Sequence, residues 1–180
     1  MKEAKNDEKQ EFSDEENIQS EKYLTFFIDG QLYCIPTAEV VEIIQMQPIT
    51  FIPNVTDYVK GVINLRGKVV PVIDMRLRFK KKEKEYNSRT SIVIVESGEK
   101  TAGLIVESVK DVRDVSANQI NAAPTLKKAI GNGFVRGIAS LGEKSAMILD
   151  IGKVLTHHSS SGRNKSEKTE QEKVQDEPVA

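Results

Sequence analysis

The chain has 180 residues, of which 38% are apolar and 29% are charged, a composition typical of a soluble folded protein. Its formal net charge is −1, and the +4 net charge carried by residues 23–158 is too small to indicate a nucleic-acid-binding surface. No apolar stretch approaches the roughly 18 to 20 residues that span a bilayer, and the charged N-terminus lacks the apolar core of a signal peptide, so we expect a cytoplasmic protein.

The two ends of the chain differ in composition from its middle. Residues 1–22 carry eight acidic and four basic side chains with few apolar residues, which predicts a disordered acidic leader. Residues 159–180 carry five acidic and four basic side chains and predict a disordered polar tail. The folded part is therefore expected at residues 23–158.

Short β-rich runs recur between turn signals in the folded part, the pattern of small barrels or sandwiches. The first two runs, YLTFFI and QLYCIP, meet across Asp29-Gly30, a strong hairpin signal, and Cys34 in the second is expected to be buried. Eight further strands are predicted, in chain order: VVEIIQM, YVKGVINL, KVVPVID, SIVIVES, TAGLIVES, VKDVRDV, FVRGIASL and SAMILDI. Short helical turns are predicted at DMRLRF, where Asp74 is the cap, at residues 123–131 and at IGKVL.

The predicted strands form two similar halves. DYVKGVINLRGKVVPVID matches NGFVRGIASLGEKSAMILD at an offset of 76 residues, which places Gly61 over Gly137 and Asp74 over Asp150. YCIPTAEVVEII matches AGLIVESVKDVRD at an offset of 69, so the second half carries a seven-residue insertion, expected within NAAPTLKKAIGNG. Any two β-rich segments align to some degree, but the shared glycine-to-aspartate spacing over a whole hairpin favours an internal duplication.

The sequence contains no constellation typical of catalysis or metal binding. Its two histidines, His157 and His158, lie where the folded part ends, and no CxxC, HExxH, P-loop or GxGxxG spacing occurs. Aromatic residues lack the basic interleaving of an RNA-binding platform. We therefore predict a protein that is not an enzyme and has no cofactor and no nucleic-acid partner. The alternatives are a small-barrel RNA-binding protein, recognisable by salt-dependent binding, and a small β-barrel enzyme with perturbed titratable groups in a pocket.

The stretch GVINLRGKVVPVID places Arg66 at the tip of a hairpin, where Gly67 can adopt a positive φ. Arg66 is either an ordinary solvated turn residue or a binding group that offers five donors in a fixed fork. Pro71 cannot donate to a ladder, which predicts an edge strand or a bulge. The segment AEVVEII is partly apolar on both faces, and its Glu42 would pair with Arg66 if the two strands meet at one end of a barrel.

Three stretches, GVINLRGKVVPVIDMRLRF, YCIPTAEVVEIIQ and AGLIVESVKDVRDV, together resemble the CheW-like domain family of bacterial chemotaxis over about residues 23–155. The resemblance implies an all-β fold of two intertwined five-stranded SH3-like β-barrel subdomains with short helical turns. It also implies a non-catalytic adaptor that couples transmembrane chemoreceptors (methyl-accepting chemotaxis proteins) to the histidine kinase CheA and controls its autophosphorylation. A module of the larger coupling protein CheV is the alternative within the family, and the 22-residue tail is too short for the receiver domain of CheV.

The resemblance further implies a free monomer that is recruited from the cytoplasm to membrane-associated receptor arrays without inserting into the membrane. The receptor hairpin tip is expected in the groove between the barrels. Arg66 and Glu42 would form its polar part, and Val40 and Leu65 its apolar anchor. The full expected set is Val40, Glu42, Ile43, Asn64, Leu65 and Arg66, with Ser91 nearby on the second barrel.

Two kinase contacts are implied by the same resemblance. The regulatory domain of CheA, itself CheW-like, is expected at the far end of the first barrel, at residues 47–58 with Ile49, Phe51 and Val55. A second contact, which closes rings in receptor arrays, corresponds to residues 121–126. There the sequence has Asn121 and Leu126 where an arginine and a phenylalanine can occur in the family.

Overall fold

A computed structural model describes residues 20–122 and 133–156. The described residues form eleven strands, two short α-helices and two 3-10 turns, so the predicted all-β class with short helical turns is confirmed. The strands are β1 (Ser20–Ile28), β2 (Gln31–Pro36), β3 (Val40–Gln45), β4 (Val59–Leu65), β5 (Lys68–Asp74), β6 (Ser91–Ser97), β7 (Lys100–Val106), β8 (Ser108–Ser116), β9 (Ile120–Ala122), β10 (Val135–Leu141) and β11 (Lys144–Leu149). The helices are α1 (Met75–Arg78) and α2 (Ile151–Val154), and the 3-10 turns are Thr37–Glu39 and Ala117–Gln119. None of the helices in these two ranges is long and apolar enough to cross a membrane.

The strands form two sheets that share the chain in an intertwined order. The five-stranded sheet has the order β3-β6-β7-β5-β4, and the six-stranded sheet has the order β8-β1-β2-β11-β10-β9. The chain thus begins in the six-stranded sheet, builds the whole five-stranded sheet, and returns to complete the first. One sheet has a strand more than predicted because the short β9 pairs with β10 over three residues.

The registers of the two sheets repeat one another at the offsets of the sequence match. In the five-stranded sheet, β5 and β7 pair in parallel with Val72 opposite Gly103. In the six-stranded sheet, β11 and β2 pair in parallel with Ile148 opposite Cys34. Ile148 follows Val72 by 76 residues and Gly103 follows Cys34 by 69, so the same match relates both strands of each pair.

Two aspartates begin the two helices in the same way. The side chain of Asp74 accepts a hydrogen bond from the Arg76 amide, which confirms the predicted cap, and that of Asp150 accepts from the Lys153 amide. Both helices therefore begin directly after the last strand of a hairpin. The predicted helix at residues 123–131 lies outside the described residues.

The folded part begins earlier than residue 23. β1 starts at Ser20, and its first residues pair with β8, where Lys22 forms an ion pair of 2.9 Å with Asp114. The predicted leader therefore overlaps β1 by three residues, and the rest of it lies outside the described residues. The same holds for the predicted tail at 159–180.

Most of the core lies between the sheets. The largest buried cluster takes Phe26 and Ile35 from the six-stranded sheet and Val93 and Leu104 from the five-stranded sheet. Each sheet also packs on a smaller cluster of its own. Cys34 belongs to the smaller cluster of the six-stranded sheet and is fully buried, as predicted, and this burial raises the pKa of its thiol to about 12.

The prediction for Pro71 is wrong. β5 lies between β4 and β7 rather than at an edge, and the bulge beside it belongs to β4, where Lys60 is the extra residue. An inner strand accepts this proline because pairing with β7 covers only Val72 to Asp74, so it begins one residue after Pro71.

Candidate functional site

Arg66 and Glu42 form a two-point ion pair that joins the edges of the five-stranded sheet. Arg66 Nη1 donates to Glu42 Oε1 at 3.0 Å and Nη2 donates to Oε2 at 2.7 Å. Glu42 lies on β3, one edge strand, and Arg66 follows β4, the other edge strand. The sheet therefore curls until its two edges meet, and the predicted pairing is confirmed.

The pair presents a cation to solvent. The Arg66 side chain is 79% exposed, whereas that of Glu42 is 19% exposed. Because Glu42 holds two of its donors, the guanidinium has a defined direction and leaves its remaining donors to a partner. This geometry excludes the reading of Arg66 as an ordinary, freely moving turn residue.

The turn itself is closed by local bonds. Leu65 lies opposite Lys68, so Arg66-Gly67 is a two-residue loop, and both residues have positive φ, 51° and 85°. Asn64 Oδ1 accepts from the Gly67 amide at 2.8 Å. The side-chain oxygen of Asn64, a residue expected to contact the receptor, thus stabilises the turn that positions Arg66.

The apolar surface beside this ion pair differs from the one predicted. Val40 and Leu65 are half-buried and pack against core clusters. The exposed apolar side chains of β3 are Val41, at 52%, and Ile43. Alternation in the sequence placed Val41 and Ile43 on one face, but only the packing of β3 on the core shows that this face is the open one.

Ser91 lies on the five-stranded sheet, so its placement on the second barrel is wrong. It begins β6 opposite Gln45 of β3, and its hydroxyl donates to the Arg89 carbonyl at 3.2 Å. The chain after α1 returns to the same sheet instead of crossing to the other one. Three strand steps separate Gln45 from Glu42, so Ser91 is roughly 10 Å along the strand from the ion pair.

A second apolar surface lies on the segment between β3 and β4. Thr50 and Val62 exchange two backbone hydrogen bonds, of 2.8 and 2.9 Å, which hold this segment beside β4. Ile49 packs against the cluster of the five-stranded sheet, whereas Phe51, at 75%, and Val55 are exposed. Ile49 therefore anchors the segment, and the other two predicted kinase contacts project from it.

Two exposed apolar residues of β5 were missed from the sequence. Val69 and Pro71 are two residues apart, so they lie on the same face of the strand, and both are exposed. The alternation of KVVPVID carried this signal, since Val70 and Val72 on the opposite face are buried. Neither residue was among the predicted contacts.

The predicted ring contact is described only in part. Asn121 lies on β9, an edge strand of the six-stranded sheet, where it is exposed and pairs with Ile138. Leu126 lies outside the described residues. Asn121 is thus on the other sheet from the Arg66–Glu42 pair and from the segment around Phe51.

The six-stranded sheet carries a different ion pair at the position that matches Glu42. The matching residue is Asp111 on β8, 69 residues later, and it pairs with Arg113 of the same strand at 2.9 Å. Burial raises the pKa of Asp111, but hydrogen bonds from Thr25 and Arg113 outweigh it, so the pKa is lowered overall. The bridge between two sheet edges is therefore a feature of the five-stranded sheet.

The arrangement offers binding groups: one positioned cationic fork and two sets of exposed apolar side chains. Across residues 20–122 and 133–156, no three His, Cys, Asp or Glu side chains are placed to hold a metal ion. Such a combination of charge and apolar side chains on a rigid sheet is typical of a protein–protein contact.

Comparisons with known proteins identify similar chains. The family model of the CheW-like domain matches residues 22–159. The chemotaxis protein CheW of Bacillus subtilis is 34% identical over 140 residues, which are 78% of this chain and 90% of that protein. The chemotaxis protein CheW of Klebsiella aerogenes is 33% identical over 136 residues, which are 76% of this chain and 82% of that protein.

A solved structure has the same fold. The scaffolding protein TtCheW from Thermoanaerobacter tengcongensis superposes with a TM-score of 0.69 at 34% sequence identity. The match covers 73% of this chain and 90% of that one. At this level of identity, fold and sequence point to the same set of proteins.

Proposed function

Because the chain belongs to the CheW-like domain family, whose resemblance is thereby confirmed, we propose that it is a non-catalytic adaptor between chemoreceptors and the histidine kinase CheA. In this function it binds the cytoplasmic hairpin tip of a receptor and the regulatory domain of CheA, and so controls kinase autophosphorylation. It acts in the cytoplasm and is recruited to membrane-associated receptor arrays.

The Arg66–Glu42 pair carries this proposal. It holds a solvent-facing guanidinium on a closed turn, beside the exposed side chains of Val41 and Ile43. A receptor hairpin tip consists of helices with polar and apolar faces, and a helix of this kind needs an apolar contact flanked by a charged one. Because the turn is already ordered, little conformational entropy is lost when Arg66 binds.

Signal transfer in such an adaptor is a matter of differential binding. A receptor tip with two conformations shifts the adaptor only if it binds them with different contacts, and the adaptor then changes the balance of kinase states. The expected surface around Phe51 lies on the same five-stranded sheet as Arg66, which supports a short physical connection between receptor and kinase contacts. The ring contact expected at Asn121 and Leu126 stays a prediction.

We expect Arg66→Ala to weaken binding of a receptor cytoplasmic fragment by about 30-fold or more, the effect of losing a hot-spot residue. The fold should be retained, since an exposed ion pair contributes only about 0.2–1 kcal/mol to stability. Isothermal titration calorimetry against the receptor fragment and, separately, against the CheA regulatory domain measures the effect. Affinity for the CheA domain should stay within about twofold of wild type.

Arg113→Ala is the matched control. It removes an exposed arginine whose carboxylate partner, Asp111, matches Glu42 on the other sheet. If Arg113→Ala weakens receptor binding as much as Arg66→Ala does, net charge rather than the positioned fork is responsible. If neither partner binds the wild-type protein, the adaptor function is refuted.

Phe51→Ala is expected to weaken binding of the CheA regulatory domain by about tenfold or more, because a largely exposed aromatic ring becomes buried in the contact. The same titrations measure this, and receptor binding should be unchanged. Phe51→Leu should recover most of the affinity, and Val112→Ala, at an exposed valine of the six-stranded sheet, should change neither. Unchanged CheA binding by Phe51→Ala would place the kinase contact elsewhere.

A further inference from the structure

Arg78 joins the ends of the two sheets. It is the last residue of α1, which follows β5 of the five-stranded sheet, and it is only 7% exposed. Its Nε donates to the Val154 carbonyl at 3.0 Å, and its Nη2 donates to the carbonyls of Thr156 at 2.7 Å and Lys153 at 3.4 Å. These carbonyls end α2, which follows β11 of the six-stranded sheet.

Two aromatic rings enclose the guanidinium. Its central carbon lies 4.4 Å from the ring centroid of Tyr58 and 4.4 Å from that of Phe134, within cation–π distance of both. Phe134 follows Tyr58 by 76 residues, the offset that relates the two halves. Val154 follows Arg78 by the same 76 residues, so Arg78 bonds to the carbonyl of its own matching residue. Arg78 thus lies where corresponding parts of the two halves meet.

This position is a costly one for a charge. Among the residues that the structure describes, no carboxylate pairs with Arg78, whereas its neighbour Arg76 has an ion pair with Asp74 at 3.1 Å. Desolvation by burial lowers the pKa of the Arg78 guanidinium. An apolar side chain would fill the space between the rings without that cost but would leave the last carbonyls of α2 without a donor.

We propose that Arg78 is a latch that holds the two sheets in one relative arrangement. A rotation of one sheet against the other separates α1 from α2, and it must first break the three bonds from Arg78. The planar fork suits this function because it stacks between two rings and donates along its edge at the same time. A lysine at this position is a point charge and cannot do both.

The latch is tested by amide hydrogen exchange in Arg78→Lys and Arg78→Met, followed by NMR. The amides of Val154, Leu155 and Thr156 are hydrogen-bonded to backbone carbonyls in and around α2, so they report its opening. We expect each to exchange about tenfold or more faster in both variants. The amides of Val93 and Ile94, in the centre of the five-stranded sheet, should change less, and Arg113→Lys should change neither group.

Two results would overturn the latch. One is unchanged exchange at Val154 to Thr156, and the other is an increase there no larger than at Val93 and Ile94. If neither variant folds, native-state exchange of the wild-type protein in low urea decides. The latch predicts that Phe79 and Lys80 after α1 open together with Val154 to Thr156, at one free energy and one denaturant dependence, and separate openings refute it.

A functional consequence rests on the proposed adaptor function. The receptor and kinase surfaces lie on the five-stranded sheet and the ring contact lies on the other, so Arg78 would couple them. A bound receptor fragment should then change exchange at Val154 to Thr156 in the wild-type protein and much less in Arg78→Lys. A fragment that binds without this change refutes the coupling, whereas a fragment that does not bind refutes the adaptor function and leaves the test on the free protein decisive.

Discussion

Gly61→Ala is expected to lower the free energy of unfolding by about 3–5 kcal/mol, the combined effect of backbone strain and overpacking. Gly61 has a φ of +138°, and a Cβ there would lie 2.1 Å from the Thr50 carbonyl oxygen and 2.9 Å from Ile49 Cγ2. The carbonyl belongs to the backbone bridge between Thr50 and Val62, so relief requires the segment before β4 to move away. Urea unfolding followed by circular dichroism measures the loss.

Two other glycines serve as controls for Gly61. Gly67 also has a positive φ, +85°, but a Cβ there would meet nothing within 4 Å, so Gly67→Ala should cost only about 1–2 kcal/mol. Gly137, which matches Gly61, has no positive φ, and its Cβ would lie 3.1 Å from the Asn121 carbonyl oxygen. Gly137→Ala should therefore fall between the two. A loss for Gly61→Ala no larger than for Gly67→Ala would show that the close approach of Thr50 is not what requires glycine.

Asp74→Ala is expected to lower the free energy of unfolding by about 3–5 kcal/mol, because it leaves a buried cation without its counter-ion. Asp74 is fully buried and accepts four hydrogen bonds, three from Arg76 and one from the Tyr86 hydroxyl at 2.9 Å. Burial and the neighbouring Asp74 carboxylate raise the pKa of Tyr86, so its hydroxyl stays a donor over the physiological range. Denaturant unfolding at pH 7 measures the change.

Asp150→Ala is the matched control for Asp74→Ala. Asp150 begins α2 as Asp74 begins α1, but it is partly exposed, and its ion pair with Lys153 is a surface pair. Its loss removes a helix cap and little more, at a cost of about 1 kcal/mol. Equal losses in the two variants would show that capping, rather than the buried ion pair, accounts for the effect of Asp74.

Local chemistry explains the parts of the fold that were predictable. Asp29-Gly30 and Arg66-Gly67 form two-residue turns because both positions accept positive φ, and the sequence shows this directly. The helix at Asp74 begins where a capping carboxylate meets its amide. The partnership of Glu42 with Arg66 was also foreseeable, because an isolated charge on an otherwise apolar strand needs an opposite charge.

The features that escaped prediction depend on which strands become neighbours. Ser91 was assigned to the wrong sheet because nothing in SIVIVES indicates that the chain turns back onto β3. Pro71 was expected at an edge because the short extent of the β5–β7 pairing is a property of the assembled sheet. Val41 was passed over for Val40 because alternation separates two faces but does not say which of them the core covers.

The intertwined strand order also has a consequence for synthesis on the ribosome. All strands of the five-stranded sheet lie between Val40 and Val106, so every pairing in it is available once β7 has been made. The hairpin of β1 and β2 must instead wait for β11, whose first residue, Lys144, comes more than a hundred residues after the end of β2 at Pro36. Closing so long a loop is slow compared with closing a hairpin. A nascent chain therefore carries one sheet with all its strands while one edge of the β1–β2 hairpin is still unpaired, and an unpaired edge of this kind is what chaperones recognise and aggregation exploits.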